Sequence, residues 1–333
     1  MALIRPTPEG LYCAAGDFHI DPWRPVSRAV LTHAHADHAR PGSGRYHAAS
    51  PGLGLLRHRL GADCPLHGLE YGEVLKLGDA RVSLHPAGHV LGSAQVRVEV
   101  GGEVWVVTGD YKRDPDPTCA PFEALACDTL ISEATFALPV YRWRPAAEVV
   151  AEIFRWWEDN RAAGRASVLF AYALGKAQRV LAELTHHTDR AVYAHGAVEV
   201  LTGLYREAGV AMLPTLPVPD ARRTRAADFA GELIIAPPGA NGTPWMRRFG
   251  AASTGFCSGW MLLRGNRRRR GYDRGFVLSD HVDWPGLIAT VRETGARRVL
   301  ATHGQTTALA RYLRERGLDA EPLSTRYGED EDA

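Results

Sequence analysis

The stretch V-L-T-H-A-H-A-D-H, residues 30–38, places three histidines and an aspartate within six positions. Ala29–Thr32 reads as a short strand, so His33, His35, Asp37 and His38 occupy the loop at its C-terminal edge. Side chains two apart in extended chain point the same way, so His33 and His35 can share one ion while Asp37 and His38 turn toward a second. Imidazole and carboxylate are ligands that zinc takes at about 2.0–2.2 Å. Histidines scattered by chance through a polar loop seldom fall into H-x-H-x-D-H. One loop does not close two sites, and further ligands must come from other strand ends. His89 lies in P-A-G-H-V-L-G-S-A, after the strand Val82–His85, between glycines that allow close backbone approach. Asp110 closes the strand Val104–Thr108 in V-T-G-D-Y, where an aspartate can bridge two ions, one oxygen to each. His303, in A-T-H-G-Q, ends the strand Arg298–Thr302 and can complete the second ion. Two ions bridged at about 3.5–4 Å activate a hydroxide nucleophile between them.

The elements that must position these groups fall into two styles. Before Ser132 the chain alternates in short β-runs, among them Gln95–Val100 and Ala126–Ser132. From Ala146 helical spacing begins, with Val149, Val150, Ile153, Phe154 and Trp157 on one face. Strands at Ala166–Tyr172, Arg190–Ala194 and Leu233–Ala236 then alternate with helices at Lys176–Thr188 and Ala197–Gly209, the signature of a parallel sheet with covering helices. Near the end come a strand at Gly275–Ser279 and helices at Pro285–Thr294 and Thr306–Arg316. Nearly two hundred residues separate Asp110 from His303, too many for an unstructured loop, so the alternating region is an inserted domain.

Composition narrows the partners. The net charge is +1, with 45% hydrophobic and 23% charged residues, so no global field drives the chain onto nucleic acid or a membrane. Lysine occurs only at 76, 112 and 176; arginine, the better bidentate phosphate clamp, supplies the remaining cations. The five cysteines (Cys13, Cys64, Cys119, Cys127, Cys257) form no C-x-x-C pair, which points to reduced thiols and a cytoplasmic location. Nothing reads as a signal peptide or a membrane span.

H-A-H-A-D-H, then G-H, G-D and a distant T-H-G, resemble the metallo-β-lactamase superfamily. The resemblance implies an α/β fold, an αβ/βα sandwich with its metals at one edge of two sheets. Carried over by position, one ion takes His33, His35, His89 and Asp110, and the other takes Asp37, His38, Asp110 and His303. Asp21, in F-H-I-D-P-W, would support the ligand loop from behind, with Asp17 the alternative. The long insertion resembles the β-CASP branch, whose members cut nucleic acids. Glu133 in I-S-E-A-T-F matches its acidic motif A, His281 in L-S-D-H-V-D-W matches motif B, and His303 matches the histidine form of motif C. F-A-Y-A-L-G-K-A-Q-R, S-G-W-M-L-L-R-G-N-R-R-R-R and G-F-V-L-S-D-H-V-D-W are together similar to the bacterial ligase-associated DNA damage response exonucleases, over Gly10 to about Arg316. That resemblance implies a first metallo-β-lactamase segment at 1–137, an inserted β-CASP domain at 138–275 and a return segment at 276–327, while composition alone makes 328–333 an acidic, disordered tail. The resemblance also implies a DNA exonuclease using two divalent ions, zinc or manganese, on a single strand or an end, associated with a DNA ligase and a helicase.

In the chemistry this implies, Asp37 and Asp110 hold the ions, and His281 is the candidate general acid for the leaving oxygen. Glu133 would orient its other ring nitrogen and raise its pKa. Phosphate contacts are expected from Lys176 at a helix N-terminus, from Ser258 and Gly259 in C-S-G-W-M, and from Arg264, Arg267 and Arg268. Trp260 and Trp284 can stack on bases or sit in the core. Two other readings stay open: an RNA-processing nuclease of the RNase J type, and a small-molecule thioesterase on the same ligand loop.

Overall fold

Period-two alternation builds the sheets that carry the histidine loop. The computed structural model describes residues 2–220, 225–263 and 271–325. The first sheet runs in chain order through β1 (Ile4–Pro6), β2 (Leu11–Cys13), β3 (Phe18–Ile20), β4 (Ala29–Val30), β5 (Tyr46–Ala49) and β6 (Leu66–Leu69). β1 to β3 are antiparallel, while β3 to β6 are parallel neighbours, and helix α1 (Leu53–Leu60) connects β5 to β6. β7 (Val74–Leu77), β8 (Ala80–Pro86), β9 (Ala94–Val100) and β10 (Glu103–Val107) form an antiparallel run, and β11 (Thr129–Glu133) joins β10 in parallel. Alternate residues point to opposite faces. Ile20 and Val30 of the first sheet therefore share a core with Val82, Leu84, Val96, Trp105, Val107 and Ile131 of the second.

The chain then enters a second compact unit, Trp143–Asp280. Helix α2 (Ala146–Ala162) buries Val149, Val150, Ile153, Trp156 and Trp157, one apolar stripe at helical spacing. It leads into β12 (Ser167–Phe170), α3 (Lys176–Glu183), β13 (Val192–Ala194), α4 (Gly196–Glu207), β14 (Thr215–Pro217), β15 (Leu233–Ala236), β16 (Ser253–Cys257) and β17 (Arg274–Phe276). Their sheet is parallel throughout, in the order β14-β13-β15-β12-β16-β17. The unit ends a few residues later than the expected 275, because Gly275 and Phe276 pair with β16. It also begins later than the expected 138, at Trp143.

The remaining segment, from His281, belongs with the first unit. Helix α5 (Trp284–Thr294) starts on an Asp283 carboxylate that accepts the Gly286 N–H at 2.9 Å, with Pro285 in its first turn. It ends at Gly295, whose φ of 64° is left-handed. β18 (Arg298–Thr302) then pairs in parallel with β11, so that Glu133 lies opposite Thr302. Helix α6 (Thr306–Arg314) and β19 (Asp319–Pro322) complete a seven-stranded sheet, β19-β18-β11-β10-β9-β8-β7. Leu287, Val291, Leu309 and Leu313 of the two helices cover its outer face at Val106, Leu130 and Val299. Within this unit the layers are thus two facing sheets with helices outside. All five cysteines are free thiols, and no helix among the described residues is long and apolar enough to cross a membrane.

Candidate metal centre and active site

Each strand ends by handing one side chain to a common point. His33 Nε2 lies 3.0 Å from His35 Nδ1, and His89 Nε2 lies 3.1 Å from the same atom. Asp110 Oδ2 is 3.4 Å from His33 Nε2 and 3.7 Å from His89 Nε2. These separations, 3.0 to 3.7 Å, bracket the edge of about 3.3–3.6 Å of a tetrahedron with bonds of about 2.0–2.2 Å. A second set meets the first at the same carboxylate. His38 Nε2 lies 3.4 Å from Asp37 Oδ2 and 3.6 Å from Asp110 Oδ2, and the His303 ring stacks on that of His38 at 5.3 Å. Asp37, His38 and His303 form one cluster able to hold an ion, and His33, His35, His89 and Asp110 another. The sequence suggested one Asp110 oxygen for each ion. Instead Oδ2 faces both sets, and the buried Oδ1 has no hydrogen-bond partner. Lone pairs converging on one point, with a buried carboxylate oxygen left over, fit two divalent cations.

The backs of the rings are fixed by Asp21. Its Oδ2 accepts from the Thr32 hydroxyl at 2.5 Å and from His38 Nδ1 at 2.7 Å, and its Oδ1 accepts the Thr32 N–H at 2.7 Å. Because the Thr32 hydroxyl donates to Asp21, its oxygen is left to accept from His33 Nδ1, 3.0 Å away. Both rings therefore carry a proton on Nδ1 and turn Nε2 toward the cluster, whereas His35 turns its Nδ1 there. Asp17, the alternative, is an exposed turn residue bonded to the Tyr12 hydroxyl at 3.0 Å. Backbone strain marks the site as well. Asp21 at φ 42° and His303 at φ 60° are two of the three non-glycine residues with left-handed backbone among those described. Gly88, at φ 73°, lets the chain before His89 pass the Lys112 carbonyl, which an added Cβ would meet at 2.3 Å.

Burial and mutual charge set the protonation states. Burial, then the nearby His38, holds His33 down at about 3. Burial, then His281 and the other imidazoles, keeps His89 well below its usual range. His303 is lowered to about 4, again first by burial. Burial would lower His38 too, but the carboxylates of Asp37, Asp110 and Asp21 outweigh it and hold this ring well above its usual value. Asp110 is pushed upward by burial, yet His38 and His33 bring it well below the usual carboxylate range.

Beside the clusters stands a dyad. His281 Nδ1 lies 2.9 Å from Glu133 Oε2, and Glu133 Oε1 accepts the Tyr111 N–H at 2.7 Å. The carboxylate is wholly buried, and the His281 ring sits 4.8 Å from that of His89. Asp110, Glu133 and His281 place ligand-type atoms within 4.8 Å of one another.

The expected phosphate contacts fare differently. Lys176 is buried, and its ammonium meets Asp280 Oδ2 at 2.8 Å and donates to the Leu278 carbonyl at 3.2 Å. It clamps the 278–280 segment rather than offering a free cation, because sequence spacing does not reveal a carboxylate about a hundred residues away. Ser258 and Gly259 are buried, and the Ser258 hydroxyl accepts the Trp260 N–H at 3.3 Å. Trp284 is packed at 4.5 Å from Tyr312, a core position. Arg264, Arg267, Arg268 and the expected acidic tail lie outside the described residues. Sequence reasoning missed Thr32, whose only signal is a hydroxyl at the mouth of the loop. It also missed Arg59, which donates Nε to the Ala34 carbonyl at 2.5 Å, between the first two histidines.

No family model matches the chain. It is 34% identical over 313 residues, 93% of its length, to 30% of a probable DNA ligase of Opitutus terrae. It is 30% identical over 204 residues, 52% of its length, to 46% of a ribonuclease of Thermus thermophilus. The chain thus spans about a third of the first relative and under half of the second. A crystal structure of an Enterococcus faecalis protein of unknown function matches 90% of the chain and 79% of that protein with a TM-score of 0.61 at 13% identity, a likeness of fold alone.

Proposed function

We propose that this chain is a metal-dependent DNA exonuclease of the metallo-β-lactamase/β-CASP kind, acting alongside a DNA ligase. The observation that carries the reading is Asp110 Oδ2, shared by two sets of imidazoles with the His281–Glu133 dyad at their side. His33, His35, His89 and Asp110 would hold one divalent ion, zinc or manganese, and Asp37, His38, Asp110 and His303 the other. Two such ions supply a water activated at neutral pH and offset charge growing on phosphate oxygens. The chain's own residues do the rest. Asp21 and Thr32 keep Nε2 of His38 and His33 forward. With Nδ1–H directed at Glu133, protonated His281 presents Nε2–H to the leaving oxygen of a phosphodiester. Giving up that proton leaves the ring neutral with Nδ1–H still bonded, so Glu133 keeps its hydrogen bond throughout.

Preference for DNA rests on the alignment of nearly the whole chain inside a polypeptide named a DNA ligase. An RNA substrate is the second reading, favoured by the likeness to a ribonuclease over half of the chain. End-labelled single- and double-stranded DNA and RNA, incubated with the protein in zinc and in manganese, separate the two. The expected result is stepwise loss of nucleotides from DNA ends. Cleavage of RNA alone would select the second reading, and no cleavage of any strand in either metal would refute both.

A further inference from the structure

We infer that the carboxyl edge of the parallel sheet in the Trp143–Asp280 unit is a stacking platform for the unpaired bases of a single-stranded nucleic acid, formed by Tyr172, His195, Trp245 and Trp260. This rests on the nuclease reading and names a subsite that the metal centre does not supply. In a parallel sheet every strand ends at the same edge, where such folds bind ligands. Four adjacent strands, β13, β15, β12 and β16, are each followed there by one ring. His195 comes directly after β13, Tyr172 two residues after β12, Trp245 in the turns after β15, and Trp260 in the turn after β16. All four are half-buried, whereas the aromatics inside the strands, Phe170 and Phe256, are wholly buried. With strands about 4.8 Å apart, the four strand ends span about 14 Å, the reach of a short stretch of nucleic acid rather than of one base.

The rings are held in place beforehand. Trp245 lies 4.8 Å from Phe249 at 71°, and Phe249 lies 4.8 Å from Phe229, both buried phenylalanines. Tyr172 sits edge-on to Phe256 at 6.4 Å. His195 lies 4.9 Å from Trp245. Its Nδ1 accepts the Ala197 N–H at 3.1 Å, so the neutral ring carries its proton on Nε2, ready to donate. Burial, then Arg248, favours that neutral form. The Arg248 guanidinium stands 5.5 Å over the Trp245 ring, fixed by donating Nε to the Trp245 carbonyl at 3.0 Å and Nη1 to the Pro219 carbonyl at 2.8 Å. Pre-set rings beside a fixed cation suit a strand whose bases stack while its backbone stays charged. A duplex keeps its bases inside and gains nothing from them.

The test is binding without cleavage. Metal-stripped protein is titrated into fluorescent single-stranded DNA, single-stranded RNA and duplex DNA, and anisotropy is read. Trp245→Leu and Trp260→Leu are expected to weaken single-strand binding roughly 5- to 150-fold, in DNA and RNA alike, with duplex binding unchanged. Trp245→Phe is expected to recover most of the loss, which separates stacking from mere filling of space; Tyr172→Leu serves should a tryptophan variant fail to fold. Folded Leu variants that bind single strands as tightly as the parent would overturn the proposal, as would equal losses for single strand and duplex. Cleavage by the metal-loaded parent is scored separately. Cleavage without dependence on the rings refutes the platform alone, while ring-dependent binding without cleavage keeps the platform and refutes the nuclease reading.

Discussion

Asp21 touches neither proposed ion, yet its replacement by asparagine should loosen metal. The carboxylate accepts three hydrogen bonds, two at Oδ2 and one at Oδ1. An amide keeps one acceptor for the Thr32 N–H and turns an NH2 toward His38 Nδ1. Two donors then face each other unless the ring moves its proton to Nε2, the atom aimed at Asp37 and Asp110. Either outcome removes a hydrogen bond to a charged group, worth about 1.5–3 kcal/mol. At about 1.36 kcal/mol per decade, that is roughly a 10- to 150-fold loss of affinity, in line with the 10–100-fold common for such supporting partners. The loss should fall first on the His38 set, because His33 feels Asp21 only through the Thr32 hydroxyl. Zinc titration against a chelating dye reads two affinities. One should drop within that range and the other by less. Thr32→Val should invert the order by striking His33. If Asp21→Asn binds both ions as the parent does, the supporting role assigned to Asp21 is wrong.

Other outcomes follow from the same contacts. His281→Gln and Glu133→Gln should each lower phosphodiester cleavage by about 10²–10⁴-fold while elemental analysis still finds two ions per chain. Gly88→Ala forces its Cβ against the Lys112 carbonyl and should weaken zinc binding through His89, whereas Gly196→Ala, with open space around it, should not. Lys112 is wholly buried and paired with Asp116, so Lys112→Met removes the cation from a buried carboxylate that keeps its Thr118 hydrogen bonds and should cost about 3 kcal/mol in urea unfolding. His47 is buried and lowered to about 4, first by burial and then by His67. Below about 6.5 the unfolded chain binds this proton and the folded one resists it, so the contribution is lost as pH falls from about 6.5 toward 4. Unfolding of His47→Leu should depend less on pH across that window than unfolding of the parent, and an equal slope would remove His47 from the account.

Much of the centre was legible because chelation leaves a local trace. His33, His35, Asp37 and His38 are neighbours in the chain, and His89, Asp110 and His303 each close a predictable strand. The strand-and-helix rhythm after Ala146 announced a parallel sheet for the same reason, since periodicity is local. The gap between Asp110 and His303 was equally readable, and β18 does return to pair with β11 across it. What pairs at a distance was not readable. Asp17 and Asp21 flank the same strand, both with left-handed backbone, and only packing shows that one is exposed and the other buried against Thr32 and His38. Lys176 looked like a phosphate ligand until Asp280 took its charge.

The sequence by itself determined which side chains are available as ligands and which strand ends carry them, because residue type and period are properties of the chain. Tertiary structure alone decided which atoms meet. A single oxygen of Asp110 faces both histidine sets, Glu133 rather than another acid backs His281, and β13, β15, β12 and β16 become neighbours out of chain order. The reason is geometric. Distances of about 3 Å between residues far apart in sequence depend on how strands register and how a buried core fixes their ends, and no local pattern encodes that sum of contacts.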